Sequence, residues 1–79
     1  MKDPNAPEVL AWLETLPLAE RLVTLHAMAI AIPALQHSRS WKARIAAARD
    51  ALRPNEAELG YILRAAERRS EWLKEELAG

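Results

Sequence analysis

Ala27–Leu35 reads AMAIAIPAL, a run that is apolar all the way round a helix and is interrupted by Pro33. A helix without a polar face has to be covered on every side. The chain has 79 residues, and a domain of that size buries only ~60% of the surface its unfolded form exposes. Few elements are therefore available as cover. The run is either the centre of a compact helical bundle or a surface that waits for a partner.

The flanking sequence favours the first reading. Upstream, Leu18, Leu22, Leu25, Ala29 and Ile32 form one stripe of a helix that opens at Pro17. After Thr24, His26 is the sole polar side chain before Gln36. A helix that loses its polar face toward its end is entering a core. Pro33 removes the bond that the Ala29 carbonyl would accept. The expectation is a helix over about 17–35 with a kink or a break at Pro33.

Three further segments carry apolar stripes that need such a centre. Val9, Trp12, Leu13 and Leu16 share one face of a helix over about 5–16. Asn5 and Glu8 have capping-box spacing there, and Met1–Pro4 reads as a flexible end. Trp41, Ile45, Ala48 and Leu52 stripe a helix over about 39–53, with Ser38 or Ser40 as cap and Pro54 as stop. Asn55 and Glu58 repeat the capping-box spacing before a helix over about 55–78. In that last helix Leu59, Leu63, Ala66, Ser70, Leu73 and Leu77 alternate by four and three, a heptad-like seam that suits self-association. Nothing alternates with period two. The pattern predicts one all-α domain over 1–79, a compact bundle of three to four helices with a long C-terminal helix.

Composition narrows the function classes. Eleven basic and eleven acidic side chains cancel, whereas a dedicated nucleic-acid binder is normally strongly basic. There is no cysteine, so disulfides and thiolate metal sites are excluded. Met1–Pro7 lacks the apolar core of a signal peptide. The longest apolar run is about half of the roughly 20 residues a bilayer requires. The expectation is a cytoplasmic protein that does not enter a membrane. Abundant alanine and arginine point to a GC-rich bacterial or phage source.

Chemistry-bearing residues are sparse. His26 lies near the apolar side of its helix and reads as a core-edge histidine. His37 is about 16 Å further along an unbroken helix, too far to share a metal with it. Ser38, Ser40 and Ser70 have no base and oxyanion donor in recognisable order. Glu71, Glu75 and Glu76 interleave with arginines as a solvated face. No catalytic, cofactor or metal site is expected, and the chain does not read as an enzyme. Lys2–Pro7, KDPNAP, resembles the opening of an HMG-box domain, but the basic, aromatic-rich helix of that family does not follow, so the likeness implies nothing further.

Binding candidates remain. Arg39, Lys42, Arg44, Arg49 and Arg53 stand against Asp50 alone over residues 39–53. They suit an acidic protein surface or, as the alternative, nucleic-acid phosphates. Tyr61 and Trp72 are eleven positions apart, so they share a direction roughly opposite the leucine seam, flanked by Arg68 and Arg69. Tyrosine, tryptophan and arginine are the residues enriched at binding hot spots. The sequence reads as a small interaction protein, a regulator or inhibitor, dimeric through the Leu59–Leu77 seam of the last helix or through the apolar half of the second. A structural subunit of a larger assembly is a further alternative.

Overall fold

The computed structural model describes residues 3–78 of the chain, and the side chains of 3–76. Four α-helices follow one another: α1 (Pro7–Thr15), α2 (Leu18–Ala31), α3 (Arg39–Leu52) and α4 (Glu56–Ala78). A 3-10 turn, Pro33–His37, joins α2 to α3. The protein is an all-α bundle, and α2 is its centre.

Seven residues of α2 are buried: Leu22, Val23, Thr24, Leu25, Ala27, Met28 and Ala29. No single stripe accounts for that set, and α4, α3, the 3-10 turn and α1 all pack on α2. Among the described residues no two of α1, α3 and α4 bring Cα atoms within 8 Å of each other. Helix α2 is thus a hub, but only part of the apolar run serves it: Ala27, Met28, Ala29 and Leu35 are buried, Ile30, Ala31 and Ile32 are half-buried, and Pro33 and Ala34 are exposed.

Pro33 breaks the helix rather than kinking it. Ile32 leaves helical geometry at φ −125° and ψ 86°, and the chain tightens into the 3-10 turn. The Ala29 carbonyl that Pro33 cannot serve accepts instead from Gln36 Nε2 at 3.1 Å. A buried carbonyl without a partner costs about 1–3 kcal/mol, and this amide replaces the missing donor.

The caps follow local chemistry. Ser38 Oγ accepts the Trp41 amide at 3.3 Å and Asn55 Oδ1 accepts the Glu58 amide at 2.8 Å. Asn5 does not cap α1. Asp3 captures the turn instead: its Oδ1 accepts the Asn5 amide at 2.9 Å and its carbonyl accepts the Ala6 amide at 3.1 Å. Ala6 is the N-cap, with Pro7 in the first turn. Asp3 and Pro4 form this turn, while Met1 and Lys2 of the segment expected to be flexible lie outside the described residues. Arg53 closes α3 in the left-handed region at φ 53°, and Pro54 prevents continuation.

Trp41 anchors α3. Its ring is 0% exposed, and its Nε1 donates to the Leu25 carbonyl of α2 at 3.0 Å. On α4 the buried stripe is Ile62, Ala66, Ser70 and Leu73. The small residues Ala66 and Ser70 let α4 approach α2 closely. The seam expected for self-association is thus largely an internal interface. Leu63 turns outward at 39% exposure and Leu59 is half-buried, while Ile62 takes the inward place. The Leu77 side chain lies outside the described residues. Arg69 clamps the same interface: its Nη1 donates to Glu20 Oε2 at 2.6 Å and to the buried Thr24 hydroxyl at 3.0 Å.

At about 1.5 Å per residue, α4 runs about 35 Å, the full long dimension of a molecule measuring 35 × 24 × 23 Å.

Candidate functional site

The arrangement of α1 creates the concave surface of this protein. Helix α1 buries Leu13 fully and Val9, Leu10 and Leu16 partly. The Pro17 break takes donors from its C-terminal carbonyls, and of those only the Leu13 carbonyl regains a backbone amide, that of Leu16 at 3.2 Å. Arg21 of α2 supplies them: Nε donates to the Leu13 carbonyl at 3.1 Å, and Nη2 donates to the Glu14 carbonyl at 3.0 Å and the Leu16 carbonyl at 3.1 Å. The Glu14 carboxylate lies 3.7 Å from Nη1. The planar fork of an arginine matches this fan of acceptors. Helix α1 is therefore fastened at its C-terminal end and stands over α2 without reaching α3 or α4.

Two grooves result, one on each flank of α1. The first, of about 540 Å³, runs toward α3; Leu13 and Leu25 lie at its floor and Ala43, Ala47 and Ala51 along its wall. Arg21 and Arg44 stand in it, and Arg44 Nε is buried without a hydrogen-bond partner.

The second, of about 630 Å³, separates α1 from the C-terminal half of α4. Val9, Met28 and Leu73 line it together with two tryptophans, Trp12 from α1 and Trp72 from α4. These rings are 45% and 55% exposed. Three carboxyl-bearing residues, Asp3, Glu8 and Glu76, stand in the same groove, and among the described residues no lysine or arginine lines it. Among the described residues none of the three is paired with a cation.

The partner-binding residues expected from sequence separate into distinct places. Trp72 joins this groove. Tyr61 is the most exposed aromatic, at 69%, but sits about 16 Å nearer the start of α4 and outside the groove. Arg68 is exposed; Arg69 is half-buried and committed to Glu20 and Thr24, so it is no free contact residue. Arg39, Lys42, Arg49 and Arg53 are all exposed along α3. The pairing of Trp12 with Trp72 was not visible in the sequence, because it depends on how α1 crosses the hub.

Burial pushes the His26 pKa below its ordinary value, and the Arg49 guanidinium on α3 lowers it further. No group of three or more His, Asp or Glu residues is placed to hold a metal among the described residues. No helix there is long and apolar enough to cross a membrane.

No family model, curated protein or solved structure matches the chain.

Proposed function

We propose that the chain is a small non-enzymatic interaction protein, a regulator or inhibitor from a bacterial or phage cytoplasm, that acts by covering part of another protein. The observation behind this reading is the sorting of its aromatic side chains. Trp41 is spent on the core, whereas Trp12, Tyr61 and Trp72 remain 45%, 69% and 55% exposed. Trp12 and Trp72 share one groove; exposed large apolar groups that cluster in this way are the usual mark of a binding surface, and indole rings are overrepresented among residues that dominate binding energy.

A second reading rests on α3. Arg39, Lys42, Arg49 and Arg53 are exposed, and none of them forms an ion pair among the described residues. Nucleic-acid phosphates suit such a row. Glu56 and Glu58 open the following helix and would repel them.

One experiment separates the two. The tagged chain, Trp72→Ala and Arg49→Glu are used to capture partners at low and high salt. An interaction protein retains its partner at high salt and loses it with Trp72→Ala. Capture of nucleic acid alone, released by salt and abolished by Arg49→Glu, would overturn the first reading in favour of the second.

A further inference from the structure

We propose that the groove between α1 and α4 receives a cationic amphipathic peptide segment, its apolar anchor set against Trp12 and Trp72 and its lysines or arginines beside Asp3, Glu8 and Glu76. The proposal rests on the reading of the chain as an interaction protein and names the chemistry of the partner.

Three observations carry it. The first is shape and lining. A groove of about 630 Å³ falls within the roughly 300–1,000 Å³ of ligand sites, and its floor of Val9, Met28 and Leu73 is apolar. The second is charge of one sign. Asp3, Glu8 and Glu76 come from the entry turn, the first turn of α1 and the last turns of α4. Three separate segments thus deliver carboxylates to one place, and among the described residues no basic side chain lines the groove with them.

The third is the end of α4. The last turn of a helix carries partial negative charge and ordinarily attracts lysine or arginine. This one has no basic residue there and carries Glu75 and Glu76 instead. The helix end and its own side chains repel each other, and an incoming cation relieves both. Tryptophan faces add to the preference, since a guanidinium or ammonium over an indole gains roughly 0.5–1 kcal/mol at exposed sites. The same carboxylates oppose a phosphate-bearing partner, so nucleic acid and anionic lipid are disfavoured at this groove.

The test uses the full chain and a short synthetic peptide with leucines at i, i+3, i+4 and i+7 and arginines between them. A control peptide carries glutamates in place of the arginines. Neither contains an aromatic residue, so the emission of Trp12 and Trp72 reports binding. The arginine peptide is expected to bind saturably with a blue shift, and the glutamate peptide not to bind. Trp72→Ala should weaken binding about tenfold or more. Glu76→Lys, an exposed substitution that leaves the core intact, should weaken it several-fold and flatten its dependence on salt.

Equal binding of both peptides, or binding indifferent to Trp72→Ala and Glu76→Lys, overturns the proposal. So does a dimer in light scattering that Trp72→Ala converts to monomer, because the groove is then filled by a second copy. If neither peptide binds while Trp72→Ala still abolishes capture of a protein partner, the proposal falls and the interaction reading stands. If Trp72→Ala changes neither peptide binding nor capture, both fall.

Discussion

The indole Nε1 of Trp41 donates to the Leu25 carbonyl at 3.0 Å, from α3 into the middle of α2, with the ring fully buried. That carbonyl belongs to the helical ladder, so the indole adds a second donor to it. The bond fixes both the depth and the rotation of α3 on the hub. It gives Trp41 two separable contributions, volume and hydrogen bond.

Trp41→Phe keeps most of the volume and removes the donor. Its expected cost is about 1–2 kcal/mol, since the Leu25 carbonyl keeps its helical partner. Trp41→Ala opens a cavity as well and costs about 3–5 kcal/mol. Urea denaturation followed by circular dichroism measures both. Equal losses for the two variants would mean that the hydrogen bond, and not the packing, anchors α3.

Arg21→Met keeps the aliphatic stem and removes the fork that caps α1. Amide exchange in α1 is expected to accelerate while α3 and α4 stay protected. The loss in global stability is about 2 kcal/mol, limited because Arg21 is partly exposed to water. Arg21→Lys should rescue little, because an ammonium cannot address three carbonyls in one plane. Unchanged exchange across α1 in the methionine variant would show that Leu13 alone holds the helix.

His26 gives a pH dependence of defined sign. Its folded pKa lies below the 6.5 of an unperturbed histidine, so the folded state binds its proton less readily than the unfolded chain. Above about pH 7 both states are neutral and nothing is lost. As pH falls through 6.5 the unfolded chain protonates first and stability declines, levelling once the folded imidazole is also charged. His26→Gln should flatten the melting temperature between about pH 7.5 and 5.5. A slope that survives the substitution would place its source elsewhere.

Gly60 is the fifth residue of α4, just past the first turn, where the penalty for glycine is not fully relieved. A Cβ built there meets nothing nearer than Arg64 Nη2, at 3.9 Å. Gly60→Ala is expected to stabilise by up to about 1 kcal/mol, which at this size raises the melting temperature by roughly 4–8 °C. Thermal unfolding checks it; a decrease would show that the site needs the freedom of glycine.

What could be read from the sequence was whatever depends on near neighbours. Pro33 announces a lost donor, and the helix ends at Ala31. Ser38 and Asn55 sit three residues before the amides they cap. Asn5 had the same spacing, but Asp3 Oδ1 takes the Asn5 amide that the Glu8 carboxylate would hold in a capping box, and the N-cap falls on Ala6 instead. The absence of a polar face marked the start of the apolar run, Ala27–Ala29, as central, but the same argument did not hold for Ile30–Ala34, which stay half-buried or exposed around the break.

Contacts between distant residues were hidden. Arg69 meets Thr24 across 45 positions, and nothing in the neighbourhood of either announces the other. The choice of Ile62 over Leu63 for the inward place was equally obscure. Both fit an apolar stripe, and the rotation of α4 on the hub selects between them. The groove was legible only by halves, as two tryptophans assigned to different helices.

The hub has a consequence for how this chain tolerates change. Helices α1, α3 and α4 communicate through α2 and hardly with one another, so substitutions on different arms share few neighbours. Their effects on stability should add, as effects at sites without common partners do. Each arm is then a separately editable module, free to drift in length and surface while the others keep theirs. The residues of α2 have no such liberty, since every change there is felt on several sides at once.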